Sequence, residues 1–388
     1  MTLHPYFTEE IQMMRQQVRR FVEERIVPYA EQWERDQHVP RELFREMGKL
    51  GFLGVLYPEE WGGSGLGVFG QIALAEELTR STYSGVTVSI MVHVAMASPH
   101  LLHAGTREQL GRYAADITAG RKVCGIAISE PDAGSDVSGI RTRAHRDGDD
   151  WVINGSKFFI TNGVYGDLFF VAARTDPNAK GSKGVSIFIV EKGTPGFSVG
   201  QKLQKMGIWC SDTAELVFDN VRVPQENLLG VEGRGFHALM RNLQSERLAI
   251  GAMSTGEASV ALKRTIDYVR MRKAFGGVLM DKQAIRQRLA MMHAKLESAK
   301  QLLYYAASLE QQGLKPVREV SMVKALCPEI TNEILYTCQQ FHGGMGYLRE
   351  GVIERMVRDG RLHAIGGGAT EVMLEEIAKR FDDVPYWN

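Results

Sequence analysis

The spacing of apolar residues changes twice along this chain, and that alone limits it to a few architectures. From Thr8 to about Gly120 they recur at helical intervals, as in Ile11, Met14, Val18, Phe21 and Val22. That first helix is expected to end or bend near Pro28. From Val123 to about Leu229 the texture is short β-branched and aromatic runs, Trp151-Val152-Ile153, Lys157-Phe158-Phe159-Ile160, Leu168-Phe169-Phe170-Val171 and Val185–Val190. Turn signals separate them, Asp147-Gly148-Asp149 and the hairpin dipeptide Asn154-Gly155 among them. From Phe236 onward the helical period returns, broken at Gly313, Pro316 and the Gly343–Gly346 loop. The expected organisation is mainly α with a central β domain: helices over 1–120, strands over 121–232, helices over 233–388. A length of 388 residues suits two or three domains.

Other classes are disfavoured. The chain carries 46 basic and 46 acidic residues, so overall charge makes no case for nucleic-acid or membrane affinity. No apolar run approaches the roughly 18 residues of a bilayer span, and no membrane insertion is expected. The N-terminus, with Glu9 and Glu10, lacks the look of a secretory or transit peptide, which favours a bacterial cytoplasm, or a mitochondrial matrix if a leader has been removed. Cys124, Cys210, Cys327 and Cys338 show no CxxC spacing and read as reduced core thiols. His93, His100 and His103 read as core or pocket-rim residues, and no metal site is expected. No GxGxxG follows an early strand, and Gly230-Val231-Glu232-Gly233-Arg234-Gly235 lacks the Lys-Ser/Thr ending of a phosphate loop, so it reads as a connector.

Four stretches carry the chemistry: Ile128-Ser129-Glu130-Pro131-Asp132-Ala133-Gly134-Ser135-Asp136, Asn154–Gly163, Arg270-Met271-Arg272-Lys273-Ala274-Phe275-Gly276 followed by Gln283, and Gln340-Phe341-His342-Gly343-Gly344-Met345-Gly346-Tyr347. Singly each is weak: Phe158-Phe159-Ile160 is most simply a core strand, and an arginine in a basic helix tail is usually solvated. In this order, on a helix–strand–helix plan, they resemble the acyl-CoA dehydrogenase family across nearly the whole chain. The resemblance implies that family's fold: an N-terminal helical domain, a small β-barrel and a C-terminal four-helix bundle. It also implies FAD as cofactor, an acyl-CoA substrate and an electron-transfer flavoprotein as partner. A homo-oligomer, a tetramer built as a dimer of dimers, follows by the same analogy.

The resemblance assigns contacts residue by residue. Ile126, Ile128 and Ser129 face the flavin, with Ser135 a small donor to a phosphate. Phe159 packs on the ring system, where relatives commonly carry Trp, and Thr161 offers its hydroxyl to the flavin. Arg272, whose fork suits phosphate oxygens, joins Phe275, Gln283, Gln340, Gly343 and Gly344 on the FAD of a neighbouring subunit. Ala369 and Glu371 also fall at FAD-contacting positions.

The family's reaction needs a base over the thioester α-carbon and donors for the oxygen that becomes enolate-like. In most relatives the base is a glutamate where this chain has Gly367, in His363-Ala364-Ile365-Gly366-Gly367-Gly368-Ala369-Thr370-Glu371. Isovaleryl-CoA and long-chain acyl-CoA dehydrogenases instead carry it directly before an arginine on the helix that opens the last domain. Glu246-Arg247-Leu248 matches that arrangement, which makes Glu246 the expected base and leaves Gly367 to contribute its backbone N–H. Taken alone, Glu246 would read as a solvated helix carboxylate; Glu371, Glu375 and Glu376 are the neighbouring alternatives. Thr87 and Met91, on the uncharged helix Gly85–Met91, are expected under the acyl chain, with Gln244, Arg247, Gly366 and Gly368 as further substrate contacts. Gly366 replaces a Tyr of straight-chain enzymes, leaving room for a branched or bulkier acyl group. Competing readings are a flavin monooxygenase or oxidase of the same fold, and a non-catalytic flavin-binding relative.

Overall fold

The computed structural model describes residues 5–179, 181 and 183–384; positions 1–4 and 385–388, the ends of the outer segments, lie outside the described residues. The first helix, α1 (Glu9–Phe21), is capped by Thr8, whose hydroxyl accepts from the Ile11 N–H, and it buries Ile11, Met14, Val18 and Phe21. The chain does not stop at Pro28. A π-turn over Val22–Ile26 leads into α2 (Val27–Asp36), with Pro28 in its first turn, where no N–H is needed. Next come α3 (Arg41–Lys49) and the almost wholly buried α4 (Gly67–Leu78).

A continuous helical stretch follows over Ser84–Ala104: α5 (Ser84–Met91), a π-turn (Val92–Ala97) and α6 (Pro99–Ala104). It corrects the expectation that no run has bilayer-spanning length, because its 21 residues are long and apolar enough. Its scattered Ser, Thr and His residues interrupt the apolar run without breaking the helix. This stretch is a core helix, with 94% of its most apolar window packed inside the protein. Helix α7 (Arg107–Thr118) completes the N-terminal layer.

The strands are β1 (Cys124–Ala127), β2 (Arg143–Asp147), β3 (Asp150–Thr161), β4 (Leu168–Arg174), β5 (Val185–Glu191), β6 (Phe197–Lys202), β7 (Thr213–Pro224) and β8 (Leu228–Leu229). They pair in the order β6-β7-β3-β2-β4-β5-β8, with β1 parallel to β4. Alternation along β4 explains why the sheet has two buried faces. Phe169, Val171 and Ala173 enter the sheet's own core with Trp151, Phe188 and Phe218, while Phe170 and Ala172 join the core shared with the helices. The Gly148-Asp149 turn does close the β2–β3 hairpin.

Asn154-Gly155 does not turn, and the hairpin expectation there is wrong. Both residues lie inside β3, where the register against β7 slips between Ile153 and Gly155. A Cβ on Gly155 would stand 2.7–2.9 Å from Thr142 atoms, so the glycine serves a bulge and a close strand approach.

The C-terminal helices are α8 (Gly235–Met271), α9 (Gln283–Gln311), α10 (Val317–His342), α11 (Val352–Gly360) and α12 (Thr370–Ala378), with the small hairpin β9 (Lys273–Ala274)–β10 (Gly277–Val278) after α8. Helix α10 packs on α8, α9 and α12. At Gly251 a Cβ would meet Val323 Cγ1 at 2.4 Å, so α8 and α10 approach more closely there than side chains would permit.

Candidate active site

Two of the four motifs meet at one rim of the sheet. Lys157, fully buried on β3, donates to the Ile128 carbonyl at 3.0 Å and pairs with Glu130 at 2.7 Å. Glu130 also accepts from the Arg141 and Thr142 N–H groups, and the Phe158 N–H donates to the Ser129 carbonyl at 2.8 Å. The loop after β1 is thereby locked against β3, which brings Ile128 and Ser129 beside Phe159. Asn162, next to Thr161, ties the end of β3 to α5 and β1 through the Ser89 and Cys124 carbonyls. Ile126, Ile128, Ser129 and Thr161 are partly exposed along this rim, and Ser135 is exposed on the loop beyond.

Phe159 is the telling residue of the rim. It sits at φ +61°, a conformation that aromatic side chains seldom adopt, inside the second register slip of β3. The slip turns its ring outward, 64% exposed. Backbone strain that drives an apolar ring into solvent is what a ring-binding platform requires.

The candidate base lies on α8. Asn242 donates to the Ala95 and Met96 carbonyls, and Ser245 exchanges two hydrogen bonds with Gln71 of α4. Glu246 therefore follows directly on an anchored residue, with a second anchor one helical turn before it. Its carboxylate makes no hydrogen bond or ion pair among the described residues, and it stands 3.0 Å from the point that a Cβ on Gly367 would occupy. The two positions considered for the base thus face the same space. Gly367 is at φ +68° and its Cβ would also strike Ile250 Cδ1 at 2.3 Å, so a side chain there would be strained and would crowd the present Glu246. The Gly367 N–H has no acceptor among the described residues.

Glu246 is partly open to the cleft, yet its surroundings desolvate the carboxylate. Burial pushes its carboxyl up to about 7, against the opposing pull of Arg247 and Lys324. On the same helix, Gln244 Oε1 and Arg247 Nε are buried without partners, polar atoms left for something the protein itself does not supply. The alternatives fare worse. Glu376 is paired with Lys379 and Arg380, which hold it below the usual carboxylate range, and Glu371 and Glu375 are exposed. Gly366 tolerates a side chain, since a Cβ there meets nothing closer than 3.7 Å. Thr87 and Met91 are fully buried in α5, with the Thr87 hydroxyl unpartnered.

The other two motifs assemble elsewhere. Arg272, Gln340, Gly343 and Gly344 line one open groove of about 590 Å³ together with Tyr268 and Leu279, and no residue of the sheet rim lines it. Phe275, on the tip between β9 and β10, is at φ +50° and 90% exposed. Gln283 is exposed at the start of α9. Within one chain, then, the four motifs form two groups. Sequence reasoning overlooked Lys324, which is fully buried beside Gly368. Its signal was the helical spacing Val320, Lys324, Cys327, Thr331, which puts a lysine on the buried face of α10.

Comparison with known proteins gives the family. Residues 8–121, 125–221 and 233–381 match the N-terminal, middle and C-terminal domain models of acyl-CoA dehydrogenase. An acyl-CoA dehydrogenase of Bacillus subtilis (strain 168) is 38% identical over 374 residues, 96% of this chain and 98% of the relative. The mitochondrial long-chain specific acyl-CoA dehydrogenase of Rattus norvegicus is 38% identical over 375 residues, 96% of this chain and 87% of its own. The crystal structure of acyl-CoA dehydrogenase from Geobacillus kaustophilus superposes with a TM-score of 0.95 at 37% identity, covering 98% of this chain and all of that one. The chain belongs to the acyl-CoA dehydrogenase family, and it is an FAD-dependent acyl-CoA dehydrogenase. The residues suit that cofactor: Phe159 is held outward under strain, and a Cβ on Gly343 or Gly344 would meet nothing within 4 Å, leaving backbone open to a ligand.

Proposed function

We propose that Glu246 is the base that removes the α-proton of an acyl-CoA thioester. The observation that carries this reading is an unpaired, desolvated carboxylate beside the free Gly367 N–H. The α C–H bond breaks, the proton moves to a Glu246 oxygen, and the electron pair enters the thioester as an enolate. Gly367 donates its N–H to the enolate oxygen, where a fixed donor stabilises the developing charge. The double bond to the β-carbon forms as a hydride departs, giving a trans-2-enoyl-CoA. FAD, when bound, supplies the two-electron acceptor for that hydride.

Ile126, Ile128, Ser129, Ser135, Phe159, Thr161, Ala369 and Glu371 would hold the FAD within one subunit. Arg272, Phe275, Gln283, Gln340, Gly343 and Gly344 would serve the FAD of a neighbour, which makes the working form a homo-oligomer, a tetramer by family analogy. The separation of the Arg272 groove from the sheet rim, and the outward Phe275, support this assignment. Gln244 and Arg247, with orphaned buried polar atoms, would contact the thioester's CoA arm, with Gly366, Gly368, Thr87 and Met91 around the acyl chain. The open space at Gly366 favours branched or medium to long acyl groups. The electrons are proposed to pass to an electron-transfer flavoprotein.

Glu246→Gln tests the base. It keeps the shape and removes the proton acceptor, so bound FAD should no longer bleach when acyl-CoA is added anaerobically, while flavin content stays at the wild-type level. Bleaching at the wild-type rate in this variant would remove Glu246 from the mechanism. A screen of straight, branched and terpenoid acyl-CoAs by the same absorbance change ranks substrates.

A further inference from the structure

Lys324 is a buried cation that forms no direct ion pair among the described residues. Its side chain, fully enclosed on α10, donates one hydrogen bond, to the Gly368 carbonyl at 2.7 Å. The carboxylate that acts on it most strongly is that of Glu246, without direct contact. Burying an ammonium without a counter-ion is costly, so the position demands a reason. The geometry around Gly367 supplies one. A Cβ there would stand 3.0 Å from Glu246 Oε1 and 3.7 Å from Lys324 Cε, so carboxylate and lysine stem line the same methyl-sized space. The close approach of α8 and α10 at Gly251 and Val323 brings them together.

We propose that Lys324 is a positioning residue for the α-proton transfer, acting through Glu246 and through the loop that carries the Gly367 N–H. This rests on the reading of Glu246 as base. The ammonium favours the ionised form of Glu246, so the base stays available near neutral pH although its pocket is dry. Its hydrogen bond to Gly368 fixes the carbonyl next to the oxyanion donor and holds that loop against α10. Burial pushes the Lys324 ammonium down to about 8. The charged groups facing the pair are few: Arg247 beside Glu246, Glu329 on α10, and Glu376 and Arg380 on the far side of Arg247.

The test separates charge from packing. Lys324→Gln keeps a donor for the Gly368 carbonyl and removes the charge, whereas Lys324→Met removes both. The probe is 3-thiaoctanoyl-CoA, which can lose its α-proton but has sulfur where the β-hydride would leave. Its enolate on the FAD-loaded enzyme is followed by the long-wavelength absorbance that it produces, as a function of pH. The midpoint for proton removal should rise by about one pH unit in both variants, the scale expected for loss of a nearby opposite charge. Lys324→Met should also bind the enolate several-fold more weakly. A purely structural lysine would leave the midpoint unmoved. Wild-type midpoints in both variants, with Glu246→Gln giving no enolate at any pH, would overturn the role of Lys324 alone. Enolate formed by Glu246→Gln would overturn the base assignment beneath it.

Discussion

At the residue scale, Glu246 and Gly367 are one site written at two places in the chain. They lie 121 positions apart in sequence. In space, the carboxylate of one occupies the room that a side chain on the other would need. Placing the charge there has a thermodynamic consequence. With its carboxyl raised to about 7, Glu246 binds a proton more tightly in the folded protein than in the unfolded chain. Its contribution to stability is therefore favourable at low pH and is lost as pH rises from the ordinary carboxylate range through about 7. Glu246→Gln, which cannot ionise, should unfold later than wild type at pH 8, by about 2 kcal/mol, and match it at pH 5. Thermal melts of the FAD-loaded proteins at the two pH values check the sign. A variant no more stable at pH 8 would mean that the carboxylate is better solvated than the geometry implies.

At the scale of elements, the rim proposed to hold the cofactor is tied together by one buried ion pair. Lys157 and Glu130 join the loop after β1 to β3, and both are buried. Removing one partner of such a pair leaves a desolvated charge, typically at about 3–5 kcal/mol. Lys157→Met should therefore destabilise the protein by that order in chemical denaturation and release FAD on gel filtration. A Lys157→Met protein that retains stoichiometric FAD would show that the rim holds without the pair. Little of this was legible beforehand. The strand at Lys157–Ile160 was readable from its β-branched and aromatic residues, but a lysine in a strand is ordinarily a solvated one. The Asn154-Gly155 error has the same root, since a dipeptide that turns in isolation is held extended when strands pair with it on both sides. The π-turn before Pro28 was equally hidden, because proline forbids a local donor but does not dictate how the helix upstream adjusts.

At the scale of the molecule, the proposed assembly has the two groups of motifs serve one another across subunits. Arg272 and Gln340 share a groove apart from Phe159 and Thr161, and Phe275 projects from a hairpin tip into solvent. If that groove closes over a neighbour's FAD, Arg272→Ala should lower flavin occupancy several-fold without altering the position of Glu246. Phe275→Asp should in addition shift the protein toward smaller assemblies in multi-angle light scattering. Unchanged mass and unchanged flavin content in both variants would refute the shared-site arrangement.

The sequence by itself determined the order of helices, strands and helices, because hydrophobic periodicity is a local property of the chain and each element must bury one face. Through the resemblance to the family it also nominated Glu246, by the pairing of a glutamate before arginine with a side-chain-poor Gly367. Only the tertiary structure decided what surrounds that carboxylate. The close packing of α8 on α10 strips its water and brings a buried lysine to the same space, and the bulges of β3 turn Phe159 outward. Desolvation, orphaned donors and strain are sums over neighbours far apart in sequence, so no pattern along the chain could have specified them.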